Sequence, residues 1–173
     1  MINYEKLPSH IQRRVFFLRT EARLKSPRDQ IITYCMRVLS NYASVGFDGG
    51  STLIKKKNQK ISQGALEKML SAKSIEEWAS QCINEHPTPL KETWDWLKMN
   101  AEEINDEAVW AHLVENSMVT ISKEEDALLS KLGLRSNGAG SGRYKKAKIK
   151  VSIIDTSPEN LFKRIEIAQK ERA

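Results

Sequence analysis

The sequence predicts a mainly α-helical fold with a small β element. Apolar residues recur every three or four positions over most of the chain, and residues that favour helix starts stand in front of several of these runs. Only two stretches, at about 118–121 and 147–154, have the β-branched or alternating character of strands. We therefore expect a compact helical domain that carries two short strands.

The length and composition indicate a single domain over residues 1–173. A chain of this size buries about two-thirds of its unfolded surface, which is enough for folding without disulfides or metals. Hydrophobic residues make up 40% and charged residues 29% of the chain, so a packed core is expected. Cys35 and Cys82 show neither metal nor redox spacing. We expect both to be buried thiols in a reducing compartment, with a disulfide as the minor alternative.

The charge balance favours a polyanionic partner. Lys and Arg number 28 against 22 Asp and Glu, which gives a net charge of +6 and a pI of about 9.3. This excess argues against a DNA-mimicking role and favours nucleic acid as the partner. We expect that partner to be DNA more than RNA. The N-terminus has no basic stretch followed by an apolar one, and no apolar run approaches the length of a membrane span. A cytoplasmic protein with no membrane partner is therefore expected.

Two helices are predicted in the first part of the chain. The first begins at Ser9 and carries its apolar periodicity as far as Leu24, and Ser26 with Pro27 marks the start of the second. The apolar stripe of the second helix should face the core. Its members are Ile31, Ile32, Cys35, Met36, Val38, Leu39 and Tyr42. Glycines and lysines then predict an exposed basic loop over 46–60.

Helices are also predicted through the middle of the chain. They begin at Ser62, Ser74, Thr88 and Asn105, each of which precedes an apolar-periodic run. These helices hold all four tryptophans, and we call them the Trp-rich helices: Trp78, Trp94, Trp96 and Trp110. Trp94 and Trp96 differ by two positions, so both cannot face the same core. An exposed tryptophan would suit a protein partner, although half-burial against a neighbouring helix is the commoner outcome.

The last part of the chain predicts the β element. Residues 118–121 are β-branched, and Ser122 opens a capping box for the helix behind them. Four of the eight glycines fall in the next stretch, so 133–146 is expected to be a flexible Gly/Ser loop with basic borders. The alternation over 147–154 predicts a second strand, and Ser157 caps a final helix.

The most suggestive chemical motif is the pair Glu85-His86. Hydrolysis of a phosphodiester requires a base that deprotonates water and a cation that neutralises charge on the phosphate. Glu85 and His86 provide a metal-binding carboxylate and a base at adjacent positions, and Pro89 fixes the exit into the next helix. Both residues are therefore candidates for catalysis.

In this stretch the chain resembles the HNH endonucleases, whose first motif is an acidic residue, a histidine, a spacer and a proline. The resemblance implies a divalent metal, Mg²⁺ or Mn²⁺, with His86 as general base and Glu85 as a ligand. It offers His112 and Asn116, one helical turn apart, as the closing ligands. A similar arrangement is found in uncharacterised bacterial and phage proteins. The resemblance is confined to 85–116 and departs from the family, because helices rather than a β-hairpin are expected around Glu85-His86.

A structural alternative exists for His86. A histidine near the C-terminus of the preceding helix is favoured by the helix dipole, and Pro87 and Pro89 would then end one helix and start the next. His10 and His112 lie within amphipathic helices, where a surface or boundary position is the simplest interpretation. Only three histidines are present, so a His-rich metal site is excluded by count.

Two groups of basic residues are candidates for phosphate contacts. The first group borders the Gly/Ser loop, whose small residues would let the backbone approach a phosphate, and its one aromatic ring would stack on a base. It comprises Arg135, Arg143, Tyr144, Lys145, Lys146 and Lys148. The second group comprises Lys55, Lys56, Lys57 and Lys60. The alternative is that both groups are solvated surface.

These patterns together predict a nucleic-acid-binding protein of a bacterium or phage. Its sharper form is an HNH-like, metal-dependent endonuclease that hydrolyses phosphodiesters at Glu85 and His86. The alternative is a non-enzymatic protein-interaction factor, such as a phage-encoded inhibitor or accessory protein, that binds through the Trp-rich helices. A transcriptional regulator ranks last, because no two predicted helices are joined by a turn that is typical of a helix-turn-helix.

Overall fold

A computed structural model describes residues 3–135 and 142–171. Within these ranges the α-helices are α1 (Ser9–Arg23), α2 (Gln30–Val45), α3 (Ser51–Lys57), α4 (Gln63–Ser71), α5 (Ile75–Ser80), α6 (Leu90–Asn100), α7 (Asp106–Glu115), α8 (Lys123–Lys131), α9 (Gly142–Ala147) and α10 (Pro158–Lys170). The strands are β1 (Lys60–Ser62), β2 (Cys82–Glu85), β3 (Val119–Ser122) and β4 (Val151–Ile153). The prediction of a mainly α fold with a small β element is confirmed.

Helices α1, α2, α6 and α7 pack into a helical layer around one apolar cluster. The predicted stripe of α2 faces this cluster except for Ile31, which is 66% exposed, and Leu39 is fully buried there together with Leu18 of α1. Trp94 and Trp110 are inside the cluster, whereas Trp96 is half-buried at its margin. Among the described residues no helix combines the length and the apolar character needed to cross a membrane.

The four strands form one sheet in the order β2-β3-β1-β4. β1 runs parallel to β3, while β2 and β4 lie at the edges and are antiparallel to their neighbours. The register places Val119, Ile121 and Val151 on one face, which we call the α9 face because α8 and α9 cover part of it. The opposite face, which includes Ile61 and Cys82, packs against α4, α5 and α10.

Two strand–helix units share a single capping carboxylate. Ser62 ends β1 and caps α4, and Ser122 ends β3 and caps α8, so the two helix N-termini lie side by side on parallel strands. Glu125 Oε2 accepts hydrogen bonds from Ser62 Oγ at 2.5 Å and from the Ser122 amide at 2.8 Å. Its Oε1 accepts one from the Gly64 amide at 3.2 Å. Glu125 therefore satisfies donors at both helix N-termini, where such groups lack partners within the helix.

The close approach of Glu125 requires a glycine at position 64. A Cβ atom there would lie 2.6 Å from Glu125 Cδ. Alanine usually stabilises a helix relative to glycine, but Gly64→Ala is expected to lower the free energy of unfolding by about 1–3 kcal/mol, because the carboxylate must move. Urea unfolding measures this change. Gly142→Ala is the matched control, since its Cβ would have no neighbour within 4 Å, and an equal effect in both variants would contradict the shared cap.

The stretch 46–60, predicted as an exposed loop, contains α3 and the start of β1. The prediction is wrong there because the side chains of Ile54 and Lys55 are buried. Lys55 Nζ donates hydrogen bonds to the carbonyl oxygens of Ala79 and Cys82, the latter at 3.0 Å. The Ala79 carbonyl lies in the last turn of α5, where backbone oxygens lack helical partners and a cation is favoured, and Cys82 begins β2.

Other boundaries also differ from those predicted. Asp29, not Ser26, caps α2 through a hydrogen bond from the amide of Ile32. The strand predicted over 147–154 spans only 151–153, because α9 extends to residue 147, and the strand predicted over 118–121 is β3, shifted by one residue. β1 and β2 were not predicted. The loop predicted over 133–146 becomes helical from residue 142, and residues 136–141 lie outside the described ranges.

Candidate functional site

Glu85 ends the edge strand β2 and forms a buried cluster with α9. One carboxylate oxygen accepts a hydrogen bond from Arg143 Nη2, and the other accepts one from the Tyr144 hydroxyl. Arg143 Nη2 also donates to the His86 carbonyl oxygen, while Nη1 donates to the carbonyl oxygens of Leu134 and Arg135 at 3.1 and 3.0 Å. We call Glu85, Arg143 and Tyr144 the clamp, because these bonds join α9 to the end of β2.

Burial decides the chemistry of the clamp. The Arg143 side chain is 0% exposed and that of Glu85 12% exposed. Burial raises the pKa of Glu85, and the hydrogen bonds from Tyr144 and Arg143 oppose that rise. Burial also raises the pKa of Tyr144, which keeps its hydroxyl protonated as a donor. Since both carboxylate oxygens already accept hydrogen bonds, a divalent cation at Glu85 would have to compete with the guanidinium of Arg143.

The His86 ring lies beside this cluster without a hydrogen-bond partner among the described residues. Its Nε2 atom is buried and unpaired. Burial lowers the pKa of His86 to about 4, and the positive charges of Arg37 and Arg143 contribute to the same shift. The ring is therefore neutral at pH 7 and a weak base. His86 follows a strand rather than α5, which ends at residue 80, so the alternative that it caps the preceding helix is wrong.

The two proposed closing ligands lie on and just after α7. The His112 ring stacks on Trp96 with 3.7 Å between ring centroids. Asn116 accepts a hydrogen bond from Thr88 Oγ1 at 2.6 Å and donates one to the His112 carbonyl at 2.9 Å. The structure thus brings Asn116 close to the segment that follows His86, but both ends of its amide are engaged. Among residues 3–135 and 142–171, no three His, Cys, Asp and Glu side chains are grouped as metal ligands.

The low pKa of His86 makes an acid-sensitive contribution to stability. The pKa falls from 6.5 to about 4 on folding, so between these pH values the unfolded chain binds a proton that the folded chain excludes. This contribution is present above pH 6.5 and is lost as the pH falls towards 4. The slope of the unfolding free energy against pH is proportional to the number of extra protons that the unfolded chain binds. In His86→Gln this number should be smaller by up to about one in this pH window, so the slope should be shallower.

Urea unfolding at a series of pH values measures that slope. His10→Gln, on the exposed face of α1, controls for the loss of a histidine. A slope in His86→Gln equal to that of the unchanged protein would contradict the burial of the ring.

Several basic residues predicted to contact phosphate are engaged within the protein. Lys55, Arg143 and Tyr144 are buried, so their prediction as surface contacts is wrong for this structure. Lys56 pairs with Glu76, and Lys57 Nζ lies 2.6 Å from Glu159 Oε2. Lys60 is half-buried, and Arg135 is exposed with its Nη2 3.6 Å from Asp126 Oδ2. Sequence patterns missed these contacts because most of the partners lie far away along the chain.

Four exposed lysines lie within six residues at the α9–β4 connection. We call them the lysine ridge: Lys145, Lys146, Lys148 and Lys150. All four are exposed, and none makes an ion pair with another described residue. Lys150 was not among the predicted contacts, although it continues the alternation of lysine with apolar residues that was visible in the sequence.

Three carboxylates lie near the ridge, and none of them makes an ion pair with it; Glu67 accepts a hydrogen bond from Gln63. Lys148 and Lys150 line a groove of about 600 Å³ together with the first turns of α4 and α8. In this groove Glu124 lies 2.7 Å from Lys68, and Glu125 caps both helices. The ridge therefore carries positive charge that no described carboxylate neutralises by direct contact.

Lys148 occupies a backbone conformation that normally favours glycine. Its φ angle is +57°, and it ends α9, with the Ile149 amide donating to the Tyr144 carbonyl. Lys25 occupies the equivalent position after α1, with φ of +54°.

Comparisons with family models, with curated proteins and with solved structures found no match for this chain.

Proposed function

We propose that the protein binds nucleic acid through the lysine ridge, by contacts with phosphate groups. The observation that carries the proposal is the presence of four exposed lysines within the stretch 145–150, none paired with a described carboxylate. Six residues of extended chain span at most about 20 Å, so the Cα atoms of the four lysines lie within that distance of one another. Duplex DNA carries one phosphate charge per about 1.7 Å of its axis and matches such a density well.

Binding through the ridge should not depend on sequence. Phosphate contacts position a duplex but carry no base information. Tyr144, the aromatic residue predicted to stack on a base, is buried and donates its hydroxyl to Glu85. The ridge thus offers charge without a base-reading group. The Trp-rich helices give less support to a protein-binding role, because three of their tryptophans are buried and Trp96 is half-buried.

Hydrolysis of the bound strand stays a prediction. It would require a divalent cation at Glu85 and a base at His86. The Glu85 carboxylate already accepts hydrogen bonds from Arg143 and Tyr144, and the low pKa of His86 makes its ring a weak base. A cleavage assay with Mg²⁺ and with Mn²⁺ on plasmid and on single-stranded DNA tests it directly. Cleavage that depends on the added metal would support the hydrolytic prediction, and binding without cleavage under either metal would contradict it.

The positive φ angle of Lys148 provides a test that separates binding from stability. Lys148→Gly removes a charge and relieves a backbone conformation that costs an L-residue about 1–2 kcal/mol. We expect the free energy of unfolding to rise by about 1 kcal/mol, while affinity for a labelled DNA duplex falls about tenfold near 50 mM salt through loss of one phosphate contact. Urea unfolding and fluorescence anisotropy measure the two effects.

Lys25→Gly is the matched control. It relieves the same conformation and removes the same charge at an exposed position outside the ridge. It should gain stability without losing affinity. Equal affinity losses in the two variants would mean that net charge alone drives binding, and an unchanged affinity of Lys148→Gly would remove Lys148 from the interface.

A further inference from the structure

A cavity of about 260 Å³ lies on the α9 face of the sheet, between Tyr144 of α9 and the strands β1, β3 and β4. Lys60, Val119 and Val151 project into this region from three neighbouring strands, in agreement with the strand register. Pro87 and Tyr144 complete its apolar wall. The cavity is therefore small and largely apolar, with the Lys60 ammonium group, the exposed Glu115 carboxylate and the Asn116 amide at its border.

Lys60 has unused hydrogen-bonding capacity. Its Nζ atom donates to the Glu115 carbonyl oxygen at 3.3 Å, and no described carboxylate lies within ion-pair distance. Burial lowers the pKa of Lys60, and the exposed carboxylate of Glu115 offsets part of that shift. An ammonium group has three donors, so two remain available. Charged groups that are removed from water are normally paired with an opposite charge.

Among the other polar lining groups, Glu115 is an exposed carboxylate that can only accept hydrogen bonds, and the side chains of Tyr144 and Asn116 are already engaged. The Tyr144 hydroxyl donates to Glu85, and the Asn116 amide is engaged with Thr88 and His112. Lys60 is thus the lining side chain, among the described residues, that can offer new hydrogen bonds. A neutral polar molecule would gain little here, whereas an anion would gain a charge-assisted hydrogen bond.

We propose that this cavity binds a small organic oxyanion, with its phosphate or carboxylate group on Lys60 Nζ and a compact apolar body against Val119, Val151 and Pro87. The volume lies just below the range of pockets that hold drug-sized ligands, which limits the body to about one ring. The site is separate from the lysine ridge and does not depend on nucleic-acid binding.

Phenyl phosphate, benzoate and phenol are suitable probes, because they share one ring and differ in the charged group. Amide chemical shifts of the full chain, followed by NMR during titration, should change around Lys60, Val119 and Val151 with either anion and not with phenol. Lys60→Met should weaken binding of the anions about tenfold or more, because a hydrogen bond to a charged group is lost. Lys163→Met, which removes an exposed lysine from α10, is the matched control and should bind normally.

Each outcome has a defined meaning. Saturable binding of phenyl phosphate alone identifies a phosphorylated ligand, and binding of benzoate alone identifies a carboxylate; either supports the site. The proposal is overturned if neither anion shifts these amides at tens of millimolar, or if phenol binds as well as the anions. It is also overturned if Lys60→Met, with an otherwise unchanged spectrum, keeps the affinity of the original protein.

Discussion

Replacing Glu85 by alanine is expected to lower the free energy of unfolding by about 3–5 kcal/mol. The reason is that the Arg143 guanidinium, whose side chain is 0% exposed, would be left buried without its carboxylate partner. The Tyr144 hydroxyl would lose its acceptor at the same time. A catalytic carboxylate in an open site would behave differently, since its removal would abolish activity and leave folding nearly intact. Urea unfolding therefore distinguishes the clamp from the hydrolytic centre predicted from the sequence.

Two further variants make the clamp prediction specific. Removing both partners, in Glu85→Ala with Arg143→Met, should cost less than the sum of the single changes, because neither charge then remains buried alone. Glu159→Ala breaks the more exposed ion pair with Lys57 and should cost less than about 1 kcal/mol. A loss in Glu85→Ala no greater than that in Glu159→Ala would contradict the structural role of the clamp.

Removing the whole lysine ridge should produce the largest change in binding. The variant K145A/K146A/K148A/K150A removes four positive charges and lowers the net charge from +6 to +2. If each lysine contacts one phosphate, affinity for duplex DNA should fall on the order of a thousandfold near physiological salt. Stability should change little, because all four side chains are exposed and unpaired with described residues. Anisotropy with a labelled duplex, together with urea unfolding, measures both quantities.

A matched variant controls for net charge. K25A/K91A/K131A/K163A removes the same number of charges from exposed lysines elsewhere on the surface, none of which makes an ion pair with a described residue. Its affinity should remain within about tenfold of the original, since unspecific attraction is screened over about 8 Å at physiological salt. Similar losses in the two variants would assign binding to the overall charge rather than to the ridge.

Helix starts were predictable because they depend on local sequence. Ser74, Asn105, Ser122 and Ser157 each cap a helix with the side-chain hydrogen bond expected of them. The same reasoning failed at Ser26, where the competing cap Asp29 lies three residues further on. Local signals therefore identify that a helix begins, but they do not always choose between nearby candidates.

Strands β1 and β2 were not predictable in the same way. Each has only three or four residues, and the spacing of Trp78 and Cys82 fits a helix as well as it fits the observed helix followed by a strand. Their stability comes from pairing with β3 and β4, which lie far away in the sequence. A sheet built from such short strands depends on tertiary contacts more than on intrinsic propensity.

The candidate site was predictable only in part. Lys145, Lys146 and Lys148 were predictable from charge alone, because exposed lysine is the ordinary case, whereas Lys150 was not predicted. The burial of Arg143 depends on Glu85, which is 58 positions away, and no spacing rule connects residues at that distance. The sequence therefore drew attention to Glu85 and His86, but a buried ion pair and a catalytic pair cannot be distinguished without the fold.

The most direct test of nucleic-acid binding through the ridge is the salt dependence of affinity. The logarithm of the association constant for a DNA duplex, plotted against the logarithm of salt concentration, has a slope of about −0.9 for each phosphate contact. We predict that the slope of the K145A/K146A/K148A/K150A variant is shallower by about 3.6 than that of the original protein, while K25A/K91A/K131A/K163A keeps the original slope. A flat salt dependence in the original protein, or identical slopes in all three, would contradict the proposal.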